Sequence, residues 1–509
     1  MKNQLTIIAL AFFFWYGNVL AQEKVDLEMM YKIKSEGIGN SQIQDLSFHL
    51  TDFLGPRLSG STNLRNARTW TADKFKEWGL SNVRIDSYGE FGRGWNVKKS
   101  YIAMKDPYYA QIIGYPKAWT DGTNGLVNSE VMLLEINSEE DFNKYKGQLK
   151  GKVVLTPANL TVNPAFEAEA KRWSEEELEE RKTITIGGNV GRYTPELLAQ
   201  LRAQRALDQK LTQFLLEEGV GLRITGTRGS FGTVFHTRAG SYSTEKNPTV
   251  PEMEIAAEHY GRIYRLLKNG KPVKIEAEVE VEWLDDDYRG YNVLAEIPGT
   301  DKTMKPELVM LGAHLDSWHA GTGGNDNAAG VAVMMEAIRI LKAIGVQPRR
   351  TIRIALWGEE EQGLYGSRGY VQQYVADRNT KEKKGEWDKI SAYYNLDNGS
   401  GKIRGIYLEG NDMVVPVFEK WFEPFHELGA NTITRRNTGS TDHVAFDAVG
   451  VPGFQFIQDP IDYGKGYHTN MDVYERMQLS DMTQAAVIIA ALVYNTAQRD
   501  EKLPRKPWN

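Results

Sequence analysis

The sequence contains no cysteine. That excludes a thiol nucleophile, a disulfide framework, a cysteine-ligated zinc and a lipid-modified amino-terminal Cys. Basic charge is not in excess either: 61 Lys and Arg stand against 67 Asp and Glu, a net charge of -6, and no Lys/Arg-rich tract breaks that balance. A chain without a positive field has no means of holding nucleic acid, so no such partner is expected. The apolar run at residues 5–16 is shorter than the ~20 residues a membrane span needs, and Gly17 and Asn18 interrupt it. No membrane span is therefore expected in the mature chain. The central region has no Gly-x-Ser-x-Gly elbow at a strand-to-helix turn, which sets aside a Ser-His-Asp hydrolase. Internal repeats and low-complexity segments are also absent.

What the chain has is length and apolar content. Its 509 residues suit two domains, one inserted in the other, and 41% hydrophobic with 11% aromatic residues supply sizeable cores. Lys2, the apolar run and Val19-Leu20-Ala21 read as a signal peptide over residues 1–21, so export to a periplasm or the extracellular space is expected. Residues 22–125 read as the first part of a main domain, 126–285 as an inserted domain, and 286–509 as the remainder of the main domain.

Helical spacing of Ile43, Leu46, Leu50 and Leu54 stops at Gly55-Pro56, and residues 62–78 read as a second amphipathic helix. Residues 83–88 alternate as a strand does. In the insertion, 152–155, 222–224 and 232–235 read as strands, and 168–181 and 195–218 as helices. His236 and His259 lie there without an acidic cluster around them and read as packing histidines. Strand character returns at 291–298. Later strands are expected at 391–396, 403–408 and 454–457, and helices at 414–428 and from a Ser480 cap onward.

The chemistry concentrates between residues 308 and 364. An apolar run, 308–313, is followed at once by His314-Leu315-Asp316-Ser317, then by a Gly-rich loop reaching Gly324-Asn325-Asp326-Asn327-Ala328-Ala329-Gly330. A helical period follows, with Val331, Met334, Met335, Ile338 and Leu341 on one face. A second buried strand, 351–357, runs into Gly358-Glu359-Glu360-Glu361-Gln362-Gly363-Leu364. In an open α/β sheet the carboxyl ends of strands line the active crevice, so His314, Asp326, Glu360 and Glu361 converge there. Imidazole beside several carboxylates at strand tips suits a hard or borderline divalent metal. His319 is the nearest competitor to His314, but it sits in the loop and ranks below it.

Together with Asn395-Leu396-Asp397 and Tyr467-His468-Thr469, these motifs fall in the order that resembles a family of di-zinc exopeptidases, which includes bacterial leucyl aminopeptidases, aminopeptidase Y and the glutamate carboxypeptidases. Gly55-Pro56-Arg57-Leu58-Ser59-Gly60-Ser61 resembles the plasma glutamate carboxypeptidase subgroup. The resemblance implies a phosphorylase/hydrolase-like α/β/α sandwich with a mixed sheet, interrupted by a protease-associated-like domain. It implies two zinc ions per chain, one on His314, Asp326 and Asp397, the other on Asp326, Glu361 and His468, with Asp326 as the bridge. Glu360 would be the general base and Tyr467 the oxyanion donor. Asp316 and Asp472 would orient the metal-bound histidines. Glu359 stands where the family usually has a small residue.

Small peptides, dipeptides among them, are the implied substrates, and a homodimer is a further expectation. Two other readings of the scaffold are a one-zinc glutaminyl cyclase and a receptor-like relative that has lost metal ligands. Carboxypeptidase specificity competes with aminopeptidase specificity. Arg435 and Arg436, which precede the polar corner Ser440-Thr441-Asp442-His443, could reach a substrate carboxylate.

Overall fold

The computed structural model describes residues 23–158, 160–183 and 194–508. The expected leader, 1–21, lies outside the described residues. Among those described, no helix is long and apolar enough to cross a membrane.

Residues 308–313 form a strand because each is apolar or small, with Gly312 admitting the carbonyl of Ala355: a Cβ there would lie 2.2 Å from that oxygen. Strand Leu308–His314 is buried along its whole length, as a central strand covered on both faces must be. Its side chains alternate between two cores. Val309, Leu311 and Ala313 pack with helices Ala329–Ala343 and Leu479–Gln498 on one face. Leu308 and Met310 join Trp357, Tyr370 and Phe446 on the other. Helices on both faces of a mixed sheet make a three-layer α/β/α sandwich.

The sheet has eight strands in the order Ser81–Glu90, Arg289–Ile297, Thr351–Trp357, Leu308–His314, Ile390–Asn395, Gly453–Gln458, Ile403–Tyr407 and Thr432–Thr434. Four neighbours in the middle, from Thr351–Trp357 to Gly453–Gln458, run parallel. The outer pairs Ser81–Glu90 with Arg289–Ile297, and Gly453–Gln458 with Ile403–Tyr407, are antiparallel. A second eight-stranded sheet takes its strands from between Gly94 and Leu284. It therefore opens well before residue 126: the long strand Gly94–Asp106 pairs along Lys274–Leu284, so 94–116 belong with the second sheet.

Several expected elements are shorter, and each has a local reason. Helix Glu175–Lys182 begins only at Ser174, whose hydroxyl and Glu177 form a capping box. Residues ahead of it are pulled away by tertiary contacts, Lys171 bridging to Ile461 and Arg172 pairing with Asp459 and Asp481. Residues 232–235 are not a strand; Phe235 makes a single bridge to Thr469. The helix expected over 414–428 is α-helical at Val415–Phe422 and 3-10 at Glu423–Leu428, where Pro424 has no N–H to give. Helix Leu479–Gln498 is preceded by Gln478, held through its N–H on the Ser400 hydroxyl, so Ser480 lies in the first turn and not at the cap.

Candidate metal centre

The four central parallel strands end side by side, and each end carries an acid or an imidazole. His314 closes its own strand. Glu360 and Glu361 follow Thr351–Trp357, Asp397 follows Ile390–Asn395, and the loop after Gly453–Gln458 leads to His468. Asp326 arrives from the loop between His314 and helix Ala329–Ala343.

Two triads result that share one residue: His314, Asp326 and Asp397, and Asp326, Glu361 and His468, each with one donor atom apiece within 4.8 Å of the others. His314 Nε2 lies 3.2 Å from Asp326 Oδ1 and 3.3 Å from Asp397 Oδ1. His468 Nε2 lies 3.1 Å from Asp326 Oδ2 and 3.0 Å from Glu361 Oε2. Asp326 thus turns one oxygen to each imidazole. Donors ~2.0–2.1 Å from a tetrahedral zinc stand about 3.3 Å apart, close to these spacings. The donor set, two imidazoles and three carboxylates with no sulfur, fits two borderline divalent ions. Glu361 Oε1 is buried without a hydrogen-bond partner, a lone pair left for an ion.

The surrounding groups hold these donors in place. His314 Nδ1 sits 3.1 Å from the Asp316 carbonyl oxygen, leaving Nε2 for the site. The Asp316 carboxylate also lies beside that ring nitrogen, Oδ1 3.6 Å from Nδ1, and it holds the next turn as well: Oδ1 accepts the Glu360 N–H at 3.0 Å, and Oδ2 accepts the Glu361 N–H at 3.2 Å and the Ser59 hydroxyl at 2.9 Å. Asp472, expected against His468, instead accepts the backbone N–H groups of Asn325 at 2.6 Å and Asp326 at 3.1 Å. Its short link to His468 by sequence is therefore not the link it makes in space; it fixes the loop that presents Asp326. Arg57 is fully buried and donates to the carbonyls of Leu50, Leu315, Thr322 and Gly323, tying the loop after His314 to the amino-terminal turn. The Gly-Pro-Arg-Leu-Ser-Gly-Ser turn was the sequence signal for Arg57 and Ser59.

Burial sets the protonation of the cluster. It pushes Glu360 well above the usual carboxylate range, aided by Asp397, Asp442 and Glu361 and opposed by His314. It pushes Glu361 up to about 7 against the pull of His468. Asp442, whose carboxylate oxygens are buried and unpartnered, is pushed up to about 7. Burial would lower His468, but Glu361 and Asp326 outweigh it and lift the imidazole to about 11.

Tyr467 precedes His468 in the loop after strand Gly453–Gln458. Its hydroxyl accepts from Arg228 Nη2 at 3.2 Å, and its ring stacks on Tyr463 at 5.3 Å and leans on His468 at 4.7 Å. Burial and the carboxylates of Asp326, Asp397, Glu361 and Asp472 raise the Tyr463 phenol well above its ordinary value. Trp318, which lies outside every sequence motif, donates its indole N–H to Glu361 Oε2 at 2.9 Å.

Arg435 and Arg436 are engaged elsewhere: Arg435 pairs with Asp412, and Arg436 donates to the carbonyls of Glu180 and Thr183. His319 bonds the Pro116 carbonyl and stays out of both triads. The His236 ring packs on Tyr115 and His319, while its backbone N–H donates to the His468 carbonyl at 2.7 Å.

Residues 292–493 match the model of peptidase family M28. Carboxypeptidase Q of Mus musculus is 25% identical over 460 residues, covering 90% of this chain and 86% of that protein. The crystal structure of a peptidase M28 precursor from Shewanella amazonensis is similar at a TM-score of 0.65 and 22% identity, over 94% of this chain and 98% of that one. BSAP, a zinc aminopeptidase from Bacillus subtilis, has a TM-score of 0.57 at 19% identity, over 91% and 96%.

Proposed function

We propose that the chain, whose residues 292–493 match the model of peptidase family M28, belongs to that family and is a zinc-dependent metallo-exopeptidase acting on small peptides, dipeptides among them. The observation that carries this reading is the sharing of Asp326 between two triads at zinc-like donor spacing. In it, His314, Asp326 and Asp397 hold one zinc, and Asp326, Glu361 and His468 the other. When bound, the pair supplies Lewis-acid polarisation of the scissile carbonyl and acidifies the attacking water. Glu360 takes the proton of that water on its carboxylate and returns it to the leaving amine nitrogen. The buried environment that raises Glu360 suits a group that must carry a proton near neutral pH. Tyr467 donates to the developing oxyanion, and Asp316 and Asp472 hold the backbone that presents Glu360, Glu361 and Asp326.

Carboxypeptidase specificity is favoured by one observation. Arg228, exposed and stacked over Phe235, bonds Tyr467, the neighbour of His468. A guanidinium there can take the free carboxylate of a short peptide in a two-pronged bond. Replacing Arg228 by Met should raise KM for dipeptides with a free carboxylate and leave amidated ones unchanged; equal effects on both would remove this reading. The retained ligand set argues against a receptor-like relative, and the second triad argues against a one-zinc cyclase.

The same reading includes a leader over residues 1–21 removed on export, a protease-associated-like insertion that takes in the second sheet from Gly94 to Leu284, and a homodimer. Two zinc ions per chain by elemental analysis, with hydrolysis of dipeptides lost on chelation and regained with zinc, is the expected result. One ion per chain, or full activity after chelation, would overturn the metallo-exopeptidase proposal.

A further inference from the structure

Three glutamates in a row follow strand Thr351–Trp357, and only the second and third face the metal triads. The first, Glu359, is completely buried. Its backbone takes φ +58, the left-handed region that residues other than glycine rarely adopt. Both of its carboxylate oxygens are used. Oε1 accepts from the Arg68 guanidinium, and Oε2 accepts the Tyr88 hydroxyl at 2.8 Å. Arg68 comes from helix Thr62–Glu77 and Tyr88 from strand Ser81–Glu90, so two elements outside the central stretch converge on this one side chain.

An ion pair so far from water is a poor source of stability, because desolvation offsets most of its attraction. What it does supply is direction. The turn that follows is held at its other points by backbone contacts. The Glu360 carbonyl accepts from Gly363 at 2.7 Å and Leu364 at 2.8 Å, and Asp316 takes the N–H groups of both Glu360 and Glu361. The Glu359 carbonyl accepts from Tyr365 at 3.2 Å. Asp316 grips the turn from one side, and Glu359 is the peg on the other.

We propose that Glu359, locked by Arg68 and Tyr88, is a positioning residue that sets the left-handed turn from which Glu360 reaches the reacting water. The inference rests on the proposed function, in which Glu360 is the base. A side chain that acts on orientation should change turnover and not binding, since an error of about 1 Å in the reacting groups costs on the order of 10²-fold.

Dipeptide hydrolysis, zinc content and thermal unfolding are to be measured on the zinc-loaded full chain for Glu359→Ala, Glu359→Gln and Tyr88→Phe. Glu359→Ala is expected to lose roughly 10–100-fold in kcat with KM unchanged and both zinc ions present. Glu359→Gln keeps the shape and an acceptor for Arg68, and should recover most of that loss. Tyr88→Phe removes one of the two contacts and should fall between wild type and Glu359→Ala. Wild-type kcat in Glu359→Ala overturns the proposal. So does a fall in kcat that follows loss of a zinc, which would make Glu359 a support of the metal site. Glu359→Gln as impaired as Glu359→Ala overturns it too, because charge and not placement would then matter. If Glu359→Ala does not fold, wild-type kcat in Tyr88→Phe overturns it. A wild-type protein that loads two zinc ions and cleaves no dipeptide fails the proposed function itself, a result distinct from all of these.

Discussion

Glu360 and Glu361 are adjacent and chemically identical, yet their surroundings differ. Glu361 Oε2 lies 3.0 Å from His468 Nε2 and receives the Trp318 N–H. Glu360 has no imidazole at that distance and belongs to neither triad. The proposed division of labour, base and ligand, can be separated by metal content alone. Glu360→Gln should keep both zinc ions and lose roughly 10²–10⁴-fold in kcat, the usual worth of a positioned acid–base group. Glu361→Gln replaces a charged donor by a neutral one and should lose the zinc on the His468 side first. A Glu360→Gln protein short of one zinc, beside a Glu361→Gln protein with both, would reverse the two roles.

At the scale of elements, the central strands were the most legible part of the chain. Residues 351–357 read as a strand and form one with the same ends, because the run is apolar except for Thr351 and Arg353, the latter paired with Glu296 and Glu386, and it stops where the Gly358-Glu359-Glu360-Glu361 turn begins. The site was legible for the same reason: His314, Asp326, Glu361, Asp397 and His468 each follow such a strand or open a helix, and topology brings those ends together. What could not be read were contacts made across the chain. Helical periodicity over 168–174 loses to Arg172 meeting Asp459 and Asp481, which no local window contains. Asp472 has helical spacing to His468 but faces the N–H groups of Asn325 and Asp326 instead. His236 looked like a packing residue, and its ring is one; its backbone is what matters. The segment that carries it docks on the His468 loop through His236 N–H, and through Val234 N–H on Asn470 Oδ1 at 2.7 Å. His468 itself has φ +58, a conformation that needs support. Asn470→Ala removes the side-chain part of that support and leaves every ligand in place. It should weaken zinc on the His468 side by about 10–100-fold, the range found for partners that orient a ligand, in a competitive chelator titration. An unchanged affinity would show that the backbone bond from His236 suffices.

For the whole molecule, the acids gathered at the sheet's centre tie stability to both zinc and pH. Metal that binds only the folded chain stabilises it by mass action, about 2.7 kcal/mol at a free concentration 100 times Kd. The metal-free chain should respond to pH in a definite direction. Burial pushes Asp442 and Glu361 up to about 7 and Asp472 up to about 8, all above their unfolded values near 4. Between ~4 and ~8 the folded state therefore holds protons that the unfolded chain has released, so stability falls as pH rises through that window. The raised imidazole of His468 acts with the same sign, since above pH ~6.5 only the folded state keeps it protonated. Asp326 is held low by its two histidines and contributes the opposite slope only in the acid range. Zinc reverses the situation at the centre, because it needs the ligands deprotonated and displaces their protons as it binds. The metal-free protein should thus lose Tm from pH 5.5 to pH 8 while the zinc-loaded protein does not, and the gap between the two melting curves should widen over that interval. A gap of constant size would mean that the buried acids release no protons when zinc binds, and that their cluster is not where the metal sits.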